Sequence, residues 1–355
     1  MNMKKLLLRV VPLSIISVGA ATVVARYQRE ICVARKRVTS LGSQVIETAS
    51  GPIEYARIGD GYPVLVVHGA MGGFDQGLWL AQAFDISKHQ VISVSRFGYL
   101  RTPVPADANL DLQADAFACL LDALGIRQAA VFAVSAGSTS AIRFAARHPE
   151  RISALILLCP DAPGQVQTPA LATERSARPV RREAAGARQA GASVAMPPRF
   201  VFDTLLRSDF IYWALVTFFG KWVQNAIGLV PRGYVLTPEY VAQIKKIQAG
   251  DLPVSQRVDG LIFETYACAD EFNASTTATS PYPLSQIETP ALVINALDDP
   301  ISIPENVRGL AEQMPNARLF VVPDGGHFLF GHTEKVKTEI TQFLRNNVAL
   351  LKNSQ

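Results

Sequence analysis

Short apolar runs alternate with helical periods along most of this chain, and that alternation restricts the folds open to it more than any other feature. Residues 63–67, 91–94, 129–134, 154–158, 291–295 and 318–322 form such runs. They lack the strict polar alternation of a sheet with one wet face, which is the pattern of strands buried on both sides. Between them, apolar residues recur at helical spacing. Leu110, Ala114, Phe117, Leu120, Leu121 and Leu124 form one such stripe, with Asp107 or Asn109 available as cap and Gly125 as stop. Residues 136–147 read as a second helix, ended before Pro149, and 305–313 and 333–344 as two more. Residues 45–48 and 53–58 flank Ser50-Gly51-Pro52 and read as a hairpin. Strand, helix, strand in series predicts an α/β fold, doubly wound around a mostly parallel sheet.

The alternation is interrupted once. Residues 41–160 and 288–355 carry it, whereas 161–287 read as an inserted helical cap. Within the insertion, 172–199 is rich in Ala, Arg, Pro and Gly and is expected to be a mobile loop. Residues 200–222 hold 8 of the chain's 29 aromatics. They could pack the cap interior, wall a substrate pocket or touch a membrane.

Residues 1–40 differ from the rest. They carry a formal +7, which leaves −3 on the other 315 residues of a chain whose total is +4. A slightly acidic body argues against nucleic acid as partner. An uncharged run at 10–25 between Lys4, Lys5, Arg9 and the cluster Arg26–Arg37 reads as a signal peptide or membrane anchor with a basic flank. On that reading the protein is membrane-anchored or exported, and residues 1–40 stand outside the fold. The four cysteines, Cys32, Cys119, Cys159 and Cys268, lie far apart without a C-x-x-C pair, so neither a disulfide framework nor a zinc site is expected. No phosphate-binding glycine motif occurs, no histidines have metal-ligand spacing, and no cofactor or metal is expected.

The chemistry concentrates at four strand ends. Ser135 follows the run 129–134 and precedes a helix, with the small residues Ala133 and Gly137 at positions −2 and +2. A tight strand-to-helix turn requires small neighbours there, and it offers the Ala136 N–H to a developing oxyanion. His68-Gly69-Ala70-Met71-Gly72-Gly73 follows the run 63–67, so the N–H of Ala70 or Met71 can supply a second oxyanion donor. His327 lies in Asp324-Gly325-Gly326-His327 after the last strand, and Asp298-Asp299-Pro300 follows the strand before it. Of the other histidines, His148 reads as a helix C-cap, His89 as a surface turn residue, His68 as a structural support of its loop, and His332 as the only rival base.

In this order, nucleophile, acid and histidine resemble the α/β-hydrolase fold superfamily, in its cap-bearing esterase, lipase and carbon–carbon hydrolase branch. The resemblance runs from about residue 45 to 347, with the cap at the family's insertion point. It implies Ser135 as nucleophile, His327 as general base and acid, and Asp299 as the carboxylate orienting the imidazole, with Asp298 and Asp161 as alternatives. Ala133 and Ser138 stand where glycines are usual. In Ser95-Arg96-Phe97-Gly98-Tyr99-Leu100, serine and leucine replace the family's first acid and second glycine. The resemblance implies a serine hydrolase acting on a small to medium, partly apolar ester. Carbon–carbon bond hydrolysis of the meta-cleavage type, or an inactive membrane-tethered binding protein, are the alternatives.

Overall fold

The computed structural model describes residues 3–162, 200, 202–226, 230–231, 234–267 and 283–352, and side chains within these except at 3–18, 202, 225–226, 266–267 and 349–352. The loop expected at 172–199 and Cys268 lie outside the described residues. The strands are β1 (Gln44–Thr48), β2 (Gly51–Ile58), β3 (Pro63–Val67), β4 (Gln90–Val94), β5 (Ala129–Val134), β6 (Ile152–Leu158), β7 (Ala291–Ala296) and β8 (Ala317–Val322). They form one sheet in the order β1-β2-β4-β3-β5-β6-β7-β8. β1 and β2 make the expected hairpin, β2 runs antiparallel to β4, and the remaining pairs are parallel. Because β3 has β4 on one side and β5 on the other, the winding direction reverses between β3 and β5. At such a reversal the connections leave in opposite directions and open a crevice at the carboxyl ends of the strands.

The helices are α1 (Met3–Ser40), α2 (Phe74–Ala83), α3 (Leu110–Ala123), α4 (Gly137–Arg147), α5 (Asp209–Phe218), α6 (Gly220–Ala226), α7 (Pro238–Gly250), α8 (Val258–Ile262), α9 (Pro304–Gln313) and α10 (Thr333–Lys352). α3, α4 and α9 cover one sheet face, and α2 and α10 the other. On β5, Ala129, Val131 and Ala133 face the first layer while Ala130 and Phe132 face the second. This two-sided burial is why the strand runs carry no polar alternation. Each large core side chain such as Phe117 or Phe132 contributes roughly 2–3 kcal/mol by leaving water. α3 starts at Asn109, whose side chain accepts the Leu112 N–H at 2.8 Å, and α4 ends at His148, which pairs with Asp115 at 2.7 Å.

The expectation that residues 1–40 form a membrane anchor or export segment outside the fold is overturned. No helix among the described residues is long and apolar enough to cross a membrane. The uncharged run of sixteen residues would reach only about 24 Å as a helix, against a hydrocarbon core of about 30 Å. α1 instead continues through the basic cluster as one helix, and its second half is built into the protein. Ile31 and Ala34 pack with Trp213 of α5 and with Leu252. Val38 packs with Ala56 and Phe74, joined by Leu78 and Leu100. Trp213 Nε1 donates to Glu30 at 2.7 Å, and Arg35 pairs with Asp209. Arg37 donates to the carbonyls of Ala249, Gly250 and Leu252 and to Asp75. The aromatic stretch of the cap is therefore split, with Trp213 packed under α1 while Phe218, Phe219 and Trp222 are exposed.

Replacing Arg37 with Met should lower stability by about 1–3 kcal/mol, because four acceptors lose one donor group. A lower urea midpoint at unchanged slope is the expected reading.

Beneath this junction, burial pushes the Asp251 carboxyl up to about 7, against the opposing effects of the Tyr212 hydroxyl and the Arg257 charge. The unfolded chain has an ordinary carboxyl, so over roughly pH 4–7 the native state holds a proton that the unfolded state has released. The stability from this group is complete below about pH 4 and is lost as pH rises through 7. Between pH 5 and 8 the protein should lose on the order of 2 kcal/mol more stability than Asp251→Asn, measured by urea unfolding of both at each pH.

Candidate active site

Ser135 sits just past β5 with a φ of +50°, in the left-handed region that residues with a side chain rarely occupy. The strained turn lifts its hydroxyl clear of the sheet. The neighbours enforce the turn. Ser135 N–H donates to the Leu158 carbonyl at 3.0 Å, and Ser138 donates to the Ser135 carbonyl through both its N–H and its hydroxyl. Gly137 fits where nothing larger does, since a Cβ there would lie 2.3 Å from the His68 carbonyl oxygen. Ser138 uses its departure from the family's glycine, because its hydroxyl also accepts the Asp161 N–H at 3.0 Å and ties the turn to the end of β6.

His327 arrives on the loop after β8. Gly325, at φ +107°, lets that loop fold against the Phe330 backbone. His327 Nε2 lies 3.0 Å from Ser135 Oγ, and its Nδ1 lies 3.0 Å from Asp299 Oδ2. Asp299 is buried, and its other oxygen accepts the N–H groups of Ile301 and Ser302 at 2.8 and 2.9 Å. The Ser302 hydroxyl donates to the Cys159 carbonyl and lies 3.3 Å from His327 Nδ1. Burial pushes the Cys159 thiol well up, and the Asp299 carboxylate it faces adds to that shift. Asp298 does a separate job, accepting the Gly326 N–H at 2.8 Å and so fixing the histidine loop. Asp161 meets the turn through its backbone, and His332 pairs with Asp324 at 2.7 Å.

Cys159, Asp299 and His327 have ligand atoms within 4.8 Å of one another, a spacing that could suit a metal. Their hydrogen bonds run instead in a line toward Ser135, and the set offers only one histidine.

Ala136 heads α4, and Ala70 and Met71 lie in the loop after β3. The Met71 amide faces the Tyr99 hydroxyl, whereas the Ala70 N–H meets no acceptor among the described residues. His68 is fully buried, and its pKa is pulled far down by burial together with the Arg96 charge. Neutral His68 accepts the Arg96 N–H at Nε2, so the proton sits on Nδ1 and is donated to the Gly69 carbonyl at 2.7 Å.

Sequence reasoning missed four charged residues that grip this loop. Arg257 of the cap donates to the Gly72 carbonyl and pairs with Asp75, at 3.0 and 2.7 Å. Burial alone would raise the Asp75 carboxyl, but the Arg257 and Arg37 charges outweigh it and hold it below its usual value. Arg96 donates to the Gly69 carbonyl and pairs with Glu264 at 2.5 Å. The isolated acid in Leu261-Ile262-Phe263-Glu264 was the one visible signal. Where the family's acid gives way to Ser95, Glu54 of β2 supplies the carboxylate and accepts from Ser95 Oγ, Arg101 N–H and Arg101 Nε. Leu100 adopts φ +54° in place of glycine.

With this geometry, the sequence pattern of the α/β-hydrolase fold matches residues 62–236 and 238–332, and the chain belongs to that family. It is 33% identical over 114 residues to an uncharacterised hydrolase, YcgS, of Bacillus subtilis (strain 168), covering 32% of this chain and 40% of that one. It is 33% identical over 104 residues to a 2-hydroxymuconate semialdehyde hydrolase of Pseudomonas sp. (strain CF600), covering 28% and 37%. The match thus spans about two fifths of these curated relatives. An α/β-hydrolase fold protein from Nakamurella multipartita superposes with a TM-score of 0.61 at 26% identity, over 86% of this chain and 99% of that one.

Gly137→Ala should force α4 away from the His68 carbonyl. A drop in melting temperature equivalent to about 1–3 kcal/mol and loss of Ser135 labelling by a fluorophosphonate are the expected results.

Proposed function

We propose that this protein is a serine hydrolase that cleaves a carboxylic ester of a small to medium, partly apolar substrate by acyl transfer. The observation that carries the reading is the unbroken line from Ser135 Oγ through the His327 ring to buried Asp299, with two contacts of 3.0 Å, at the winding reversal of the sheet. His327 takes the Ser135 proton as the hydroxyl attacks the carbonyl carbon. Asp299 holds the ring with Nε2 toward the serine and stabilises the imidazolium. The Ala136 N–H at the start of α4 and the Ala70 N–H stabilise the tetrahedral oxyanion. The alcohol leaves with the proton from His327, and water activated by the same ring releases the acid and restores the serine.

Carbon–carbon bond hydrolysis is a second reading, favoured by the partial similarity to a 2-hydroxymuconate semialdehyde hydrolase. A series of nitrophenyl esters of rising chain length, run beside a vinylogous diketone, separates the two. Faster turnover of the diketone would displace the ester reading.

Ser135→Ala and His327→Ala should each lower kcat on the order of 10³-fold or more while the fold is kept, and Asp299→Asn nearly as far. Asp298→Asn should cost much less, since its side chain holds the loop and not the ring. A folded wild type that neither hydrolyses esters nor reacts with a fluorophosphonate would overturn the proposal.

A further inference from the structure

We infer that Arg96 is a positioning residue for the oxyanion donor, and that Glu264 of the cap sets it in place. The inference rests on the acyl-transfer reading above and assigns a cause to the geometry of its oxyanion loop. The Gly69 carbonyl accepts Arg96 Nη2 at 3.1 Å and His68 Nδ1 at 2.7 Å. In a planar trans peptide the C=O and the following N–H point in opposite directions. Pinning the Gly69 oxygen toward Arg96 therefore aims the Ala70 N–H away from it. Gly69 itself abuts the nucleophile, since a Cβ built on it would stand 3.3 Å from Ser135 Cβ. A cation and an imidazole N–H on the carbonyl also polarise the peptide, which makes its N–H a stronger donor.

Arg96 does not hold this pose alone. Its other terminal nitrogen is 2.5 Å from Glu264 Oε2, both side chains are more than nine-tenths buried, and its guanidinium lies 5.0 Å from the centre of the Tyr99 ring. Tyr99 donates to Glu264 Oε1 at 2.5 Å and packs edge-on against His68 at 4.5 Å. Glu264 is the only member of this group from the cap, following α8, while Arg96, Tyr99, His68 and Gly69 all belong to the core. A buried ion pair is a poor source of stability, because desolvating two charges offsets most of their attraction. It is a good source of fixed direction, and here the direction is that of a catalytic N–H. The cap and the oxyanion loop are thereby coupled: the loop is fully set only when Glu264 is seated.

The test uses the full chain with a nitrophenyl ester, phenylboronic acid as a tetrahedral adduct former, and fluorophosphonate labelling. Arg96→Lys keeps a cation beside Glu264 but loses the fork that reaches both Glu264 and the Gly69 carbonyl. It should lower kcat by roughly 10–100-fold with KM within about twofold, and weaken phenylboronic acid by a similar factor. Glu264→Gln, which removes the charge and can turn its one acceptor oxygen to Arg96 only by reversing the hydrogen bond with the Tyr99 hydroxyl, should lower kcat by roughly 3–10-fold in the same pattern. It decides the matter if Arg96→Lys does not fold. Wild-type kcat and boronate affinity in a folded variant would overturn the inference, and so would a parallel fall in kcat, substrate affinity and melting temperature, which marks a general structural role. A wild type that neither labels nor hydrolyses would remove the acyl-transfer reading first, and this inference with it.

Discussion

The site depends on how closely two neighbouring strand ends approach each other. α4 begins against the carbonyl oxygen of His68, at a separation that leaves no room for a β-carbon on Gly137. That one contact joins the Ser135 turn to the loop that faces it across the crevice. It also explains why both flanking segments are rich in small residues. Were the strands β3 and β5 not adjacent, Ser135 would sit on a strained turn with no loop of backbone amides opposite it.

Around this contact the protein spends charge where most cores spend hydrocarbon. Two guanidiniums, Arg96 and Arg257, take the carbonyls of Gly69 and Gly72 at either end of the four-residue loop. Each is balanced by a buried acid, Glu264 or Asp75. Removing one partner of such a pair is costly, because an uncompensated charge is left in a poor solvent for it. The loop is thus held by groups that tolerate little substitution, and three of its supports come from outside the core layers: Arg257 and Glu264 from the cap, and Arg37 from α1 acting through Asp75.

Much of this was legible in the sequence and the remainder was not, for physical reasons. Strands buried on both faces announce themselves as uninterrupted apolar runs, and α3 announces itself by its stripe and its Asn109 cap. Ser135, His327 and the Asp298-Asp299 pair were visible because strained turns and loops over a sheet edge need glycine and small residues at fixed offsets. α2 gave no signal, being short and starting at Gly73 without a side-chain cap. The second half of α1 was misread because its basic residues resemble a flank to an apolar run, whereas Arg35 and Arg37 find their acids far away in the chain. Charges that pair 38 residues apart, as Arg37 and Asp75 do, or 174 apart, as Arg35 and Asp209 do, leave no local pattern, and Arg96 with Glu264 is hidden for the same reason.

Leu100 ties two departures together. Its left-handed backbone is the conformation that glycine would adopt freely, yet its side chain packs in the small cluster where Val38 of α1 meets Ala56 and Phe74. A glycine there would relax the turn and empty part of that cluster. Across homologous sequences, leucine at this position and a docked N-terminal helix should therefore be gained and lost together, so that a single aligned column reports whether the helix is part of the body of the protein.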